Sequence, residues 1–135
     1  MRVFLDANVL FSAADPASAT RAVLEALVTH ATAVTNRHAW EEARRNLERK
    51  RPSLVVELAK LEPRLEMTAG LVFVNGVSLP DKDQPVIGGA VAARCTHLWT
   101  SDRRHFGPLY GVEVDGVRVV SSTMLADELA KNGWL

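Results

Sequence analysis

Short apolar runs that stop at a polar residue alternate along this chain with longer segments of helical period. That alternation restricts it to a parallel sheet covered by helices on both faces. Val3, Phe4 and Leu5 form the first run and stop at Asp6. Ala22, Val23, Leu24, Ala26, Leu27 and Val28 then recur at spacings of three and four, which predicts a helix over about 17–29. A second short strand is expected at 31–35. A helix over 37–50 follows, rich in Ala, Glu and Arg and stopped by Pro52. Another helix is expected over 53–65, a third strand over Leu71–Val74 closed by Asn75-Gly76, and a helix over 84–95. Residues 96–100 and 117–120 supply the fourth and fifth strands, and a last helix over 123–131 ends before Gly133. The expected fold is α/β: a three-layer α/β/α sandwich around a central parallel sheet of about five strands.

The 135 residues suit one domain, and 47% hydrophobic with 24% charged residues excludes a disordered or fibrous chain. No apolar run approaches the roughly 20 residues of a membrane helix, and Met1-Arg2 leads straight into a strand, so a cytoplasmic protein without a membrane segment is expected. Cys95 is the only cysteine, which excludes an intrachain disulfide or a thiolate metal cage and predicts a core residue. Sixteen basic and sixteen acidic residues cancel, so any attraction to nucleic acid must be local.

Ligands of parallel α/β sheets collect beyond the carboxyl ends of the strands. Asp6 follows the first strand and Asp102 the fourth. A helix from Gln84 descends about 18 Å and the next strand climbs about 20 Å, which returns Asp102 to the level of Asp83. Glu42, early in the helix after the second strand, starts from the same edge. Four carboxylates on one rim repel each other unless a cation neutralises them, and an all-oxygen ligand set suits Mg²⁺ or Mn²⁺. Such an ion activates water and stabilises charge on a phosphoryl group, the apparatus of a phosphodiesterase. Each acid also has a plainer role open to it: Asp83 as a helix cap, Asp102 in a turn, Glu42 on a solvated helix face, Asp6 in a loop.

Asn8, Thr100 and Ser101 lie beside these acids, and their neutral oxygens suit them to orient a carboxylate or a water. Asn8 is equally able to cap a short helix after it. Arg44, Arg45, Arg49, Lys50 and Arg51 fall within eight residues, and Arg103, Arg104 and His105 follow Asp102 directly. Of these, Arg44, Arg45, Arg103 and Arg104 are the candidate phosphate contacts. No GxSxG, GxxxxGK[ST] or HExxH occurs. An aspartyl-phosphate enzyme also places Asp at a strand end, but Asp6-Ala7-Asn8 lacks the second acid of the hydrolase version. Trp40, Trp99 and Trp134 read as packing residues, with an interface as the other use of Trp134.

These residues resemble the PIN domain, a family of mostly metal-dependent ribonucleases. Val3-Phe4-Leu5-Asp6-Ala7-Asn8-Val9-Leu10 is similar to the family's first strand and first metal carboxylate. Glu42-Ala43-Arg44-Arg45-Asn46-Leu47 is similar to its acid-led helical stretch, and Asp83 with Val86 and Ala90 to the segment where an Asp opens a small-residue helix. Leu98-Trp99-Thr100-Ser101-Asp102-Arg103-Arg104-His105-Phe106 matches its strand, hydroxyl, Asp and basic turn. The resemblance runs in order along essentially the whole chain. Gly88, Gly89 and Pro85 depart from the family's usual helix.

The resemblance implies that Asp6, Glu42, Asp83 and Asp102 hold the metal and carry catalysis on an RNA substrate, leaving a 5′-phosphate. Helical geometry favours Glu42 over Glu41, since Glu42 borders the face formed by Ala39, Trp40, Ala43 and Leu47. The spacing to Ala90 favours Asp83 over Asp81. Many short stand-alone members are toxins of the VapC kind, neutralised by a small antitoxin protein and commonly homodimeric. The alternative is a catalytically idle PIN module that serves as an RNA- or protein-binding platform.

Overall fold

The computed structural model describes residues 1–135. In chain order the strands are β1 (Arg2–Leu5), β2 (Thr32–Asn36), β3 (Glu66–Thr68), β4 (His97–Trp99), β5 (Glu113–Val114) and β6 (Val117–Val120). The helices are α1 (Ala7–Ala13), α2 (Ala19–His30), α3 (Arg37–Lys50), α4 (Val55–Leu61), α5 (Gln84–Ala92) and α6 (Ser122–Lys131). Val3, Phe4 and Leu5 have no exposed surface, as expected of a strand with neighbours on both edges and helices on both faces. β1 pairs in parallel with β2 and with β4, and the full order is β3-β2-β1-β4-β6-β5.

The strand-to-helix junctions are short because the residue at the strand end caps the next helix. The Asp6 carboxylate accepts from the Ala7 amide at 2.7 Å, and the Asn36 side chain accepts from the Ala39 amide at 3.0 Å. Ser18 and Ser121 cap α2 and α6 in the same way. Each cap satisfies an amide left free at the helix start, worth about 1 kcal/mol. At Asp6 the capping role also fixes the carboxylate at the strand end. Asn8, the other candidate for this cap, does not fill it: Asp6 does, and the Asn8 side chain is free for the site.

One expectation requires correction: the third strand is Glu66–Thr68, not Leu71–Val74. The expected sheet of about five strands is a mostly parallel sheet of six, the added strand β5 running antiparallel to β6. The apolar run at 71–74 lies over α5. Val72 donates its amide to the Gly88 carbonyl at 3.4 Å, and the Gln84 side chain clamps both the amide and the carbonyl of Val74 at 2.9 Å. β3 is instead held at the sheet edge by β2 and by an ion pair between Arg2 and Glu66. The extra strand comes from a hairpin whose Asp115-Gly116 turn has positive φ at both residues, 46° and 85°, a turn that matches strand twist.

The glycines that depart from the resembled family are explained by this packing. A Cβ on Gly88 would stand 2.0 Å from the Val72 carbonyl oxygen, and one on Gly89 would stand 2.6 Å from the Asn36 amide nitrogen. Gly88→Ala therefore has to displace backbone, not a flexible side chain. We expect it to lower stability by roughly 1–3 kcal/mol despite alanine's better helix propensity, measured by urea unfolding. An unchanged or higher midpoint would show that 71–74 does not rest on α5.

Candidate active site

The chain lays down β2 and β3 to one side of β1 and then crosses to place β4 and β6 on the other, so the connections diverge at the carboxyl ends of β1 and β4. Such a switch point opens a crevice that the strand ends themselves line. Asp6 leaves β1 there, and Thr100, Ser101 and Asp102 leave β4.

Asp6 is buried, 5% exposed, and its rotamer is held from three sides. One carboxylate oxygen accepts from the Ala7 amide; the other accepts from the Thr100 hydroxyl at 2.8 Å and the Asn8 amide at 3.2 Å. The Thr100 hydroxyl also accepts from the Asp102 amide at 3.1 Å, while the Asn8 carbonyl accepts from the Ser101 amide at 2.8 Å. Thr100 and Asn8 thus fasten the β4 exit to the β1 exit. Tyr110 donates its hydroxyl to the Thr100 carbonyl at 3.0 Å from the outer side.

Asp83 closes a single 3₁₀ turn, 81–83, that runs into α5, and it is 8% exposed while Asp81 and Lys82 face solvent. Asp6, Glu42, Asp83 and Asp102 line one cavity of about 100 Å³, together with Asn8, His38 and Lys82. Glu41 points elsewhere, bonded to Arg44 at 2.7 Å and within 4.0 Å of Arg37. Arg44 is gripped on its other side by Glu48, whereas Arg45, Arg103 and Arg104 are exposed and form no ion pair.

His105 completes the group. Its Nδ1 lies 3.1 Å from an Asp83 oxygen and 3.0 Å from an Asp102 oxygen, yet it is aligned for a hydrogen bond with neither, and that Asp83 oxygen is buried without a partner. One ligand atom from each of Asp83, Asp102 and His105 falls within 4.8 Å of the others. In the sequence His105 stands only as one of the basic residues after Asp102. Its spacing of three, one turn on, was the available clue. His38 and Tyr110 carried no clue, since only the fold brings them near.

The electrostatics are those of negative charge confined with too little compensation. Burial pushes the Asp6 carboxyl up to about 6, against the hydrogen bonds from Thr100 and Ala7, with the charges of Glu42 and Asp83 adding to the rise. Burial also raises Asp83, aided by Asp102 and Glu42 and opposed chiefly by His105. Buried carboxyls that resist ionisation, one of them, Asp83, with an oxygen that has no partner, are suited to a hard divalent cation, which favours their charged form. Elsewhere, Cys95 is buried and its thiol is pushed up to about 11 by burial, consistent with a core residue. Trp40 and Trp99 are buried, and Trp134 stacks on His30 with ring centroids 5.3 Å apart. No helix is long and apolar enough to cross a membrane.

No family model matches the chain, and no curated protein matches it in sequence. The likeness to known proteins is one of shape. A chain in the crystal structure of VapBC2 from Rickettsia felis, bound to a DNA fragment from their promoter, superposes with a TM-score of 0.67 and 17% identity, covering 90% of this chain and 98% of that one. VapC20 from Mycobacterium tuberculosis, a toxin that cleaves the sarcin-ricin loop, gives a TM-score of 0.53 and 14% identity over 76% of this chain and 91% of its own. With its mostly parallel sheet of six strands flanked by six helices, this chain has the fold of the PIN domain.

Proposed function

We propose that this protein is a Mg²⁺- or Mn²⁺-dependent endoribonuclease of the VapC-like toxin kind, acting as one domain. The observation that carries the reading is the meeting of Asp6, Glu42, Asp83 and Asp102, from four separate segments, in one cavity at the switch point. That is a placement the helix caps alone do not require. These four residues would hold the cation, which would supply an activated water and offset charge on the phosphate.

The protein's own groups do the rest. Ala7, Asn8 and Thr100 fix the Asp6 carboxylate in one orientation before substrate arrives. The Thr100 hydroxyl and the Asn8 carbonyl brace the backbone of Ser101 and Asp102, so the two strand ends cannot drift apart. Arg103 and Arg104, free of carboxylates, are suited to phosphates flanking the cleaved bond, as is Arg45; Arg44 would first have to leave Glu41 and Glu48. By likeness to the toxins, a small antitoxin protein and a second copy of the chain are the expected partners, and the cytoplasm the expected compartment.

The deciding experiment incubates purified protein, freed of any bound partner, with a panel of single-stranded and structured RNAs in Mn²⁺ or in chelator. Cleavage in Mn²⁺ alone, with 5′-phosphate ends, is the expected result. Binding without cleavage on every RNA would replace the nuclease with an idle binding module.

A further inference from the structure

We propose that the groove between α1 and α3, which adjoins the acid cavity, is a nucleotide subsite for single-stranded RNA. In it Lys50 takes a phosphate beyond the cleaved bond, Phe11 stacks a base, and Asn46 hydrogen-bonds that base. The proposal rests on the nuclease reading for the identity of its ligand.

The groove encloses about 270 Å³ between Asn8 and Phe11 on one wall and Glu42, Asn46 and Lys50 on the other, with Asp102 at its inner end. Asn8, Glu42 and Asp102 also line the acid cavity, so the two spaces adjoin across these three residues. Glu42, Asn46 and Lys50 recur every four residues and form one stripe of α3, about 12 Å from end to end. The stripe passes from an acid at the cavity, through an amide, to a cation.

Lys50 is available for an anion. Arg2, Arg21, Arg37, Arg44, Arg51, Lys60, Arg64 and Lys131 are taken up in ion pairs with acids, and Lys50 is not among them. Its neighbour Arg49 spends a guanidinium hydrogen on the Asn46 carbonyl at 3.0 Å rather than on a carboxylate. That bond orients Asn46 and leaves its amide hydrogens for another acceptor, which a base carbonyl or ring nitrogen supplies.

Phe11 supplies what a polar groove otherwise lacks. α1 already buries Ala7, Val9, Leu10 and Ala13 in the core, whereas Phe11 packs against the core only in part and presents the remainder on the groove wall. An aromatic face beside an amide and a cation provides for the three parts of a nucleotide: the base plane, the base edge and the phosphate. A polyanion entering a carboxylate-lined site also needs positive charge along its path, and the stripe ends in it.

The test is equilibrium binding of a short single-stranded RNA in chelator, where no cleavage occurs, at several salt concentrations. Lys50→Ala should weaken binding roughly fivefold at low salt and make the dependence of log K on log salt shallower by about 0.7, the value of one lost single-strand contact. Arg118→Ala, a cation on β6 paired to His97 at the opposite end of the sheet, should change neither quantity. Phe11→Leu, which keeps a branched apolar side chain against the core, should weaken binding several-fold; an RNA with an abasic residue at the stacked position should bind wild type equally weakly and be insensitive to Phe11→Leu. Wild-type thermal melts for each variant establish that the fold is intact. Lys50→Ala and Phe11→Leu that bind like wild type, with the same salt slope, overturn the subsite and leave the nuclease reading standing. RNA bound through Lys50 and Phe11 but never cut in Mn²⁺ supports the subsite and sinks the nuclease reading. Wild type that binds no RNA overturns the subsite.

Discussion

Asp6→Asn is expected to lower Mn²⁺-dependent RNA cleavage by about a thousandfold, equivalent to ~4 kcal/mol of transition-state stabilisation, without unfolding the protein. Asparagine keeps an acceptor for the Ala7 amide, so the α1 cap survives, and the brace from Asn8 to Ser101 and from Thr100 to Asp102 does not involve residue 6. The Thr100 hydroxyl and the Asn8 amide each lose one acceptor. What is lost is one of four negative charges around the cavity. Because the side chain is 5% exposed, no solvent can replace that charge. RNA binding in chelator should hold or improve, since the cavity repels phosphate less. A single-turnover assay with matched binding isotherms checks both halves. Cleavage within tenfold of wild type would show that Asp6 serves only as a helix cap.

In the metal-free protein, stability should fall as pH rises from about 4 to about 6, and Mn²⁺ should remove that fall. Asp6 gives up its proton near the ordinary 3.8 when unfolded but holds it to about 6 when folded. The folded state therefore binds more protons between those values. Its advantage is complete below 3.8 and is lost as pH climbs through about 6, a difference of roughly 3 kcal/mol. Asp83, also raised, pulls in the same direction. The ion-paired acids act in the opposite sense and in a lower window: Glu25, held to about 2 by Arg64 and Arg21, loses its contribution only as pH falls below the ordinary glutamate range. A cation bound only by the folded state adds about 2.7 kcal/mol at a concentration of a hundred times its Kd, about 10 °C in melting temperature. Melts across pH 4–7, in chelator and in Mn²⁺, read both effects. Asp6→Asn should flatten the chelator profile over this range. A wild-type profile as flat as that of Asp6→Asn would mean that Asp6 is not held protonated by its surroundings.

Much of the architecture was legible because it depends on local periodicity. The bounds expected for α3 match the structure, and those for α2 and α6 differ by a residue or two, since a stripe of apolar residues and a capping side chain are both written within a few residues. Asp6 and Asp102 were legible because each directly follows a buried strand. The misplaced third strand shows where this reasoning stops. Leu71-Val72-Phe73 has better strand composition than Glu66-Met67-Thr68, but composition reports only that a segment can be extended. It is the close backbone of Gly88 that draws 71–74 onto α5, leaving the edge of β2 to the poorer candidate.

By itself the sequence determined the class of fold, the strand ends from which Asp6 and Asp102 emerge, and the acids able to reach them, because helix rise, strand rise and cap chemistry act over short spans of chain. Helix geometry and spacing already favoured Glu42 over Glu41 and Asp83 over Asp81, and the tertiary structure turns the favoured acid of each pair toward the cavity. Only the tertiary structure brought His105 between Asp83 and Asp102, tied Thr100 to Asp6 and Ser101 to Asn8, and put Phe11 and Lys50 in one groove. Those outcomes depend on the orientation of one element against another, and that orientation is set by the packing of the whole core, which no local stretch of residues encodes.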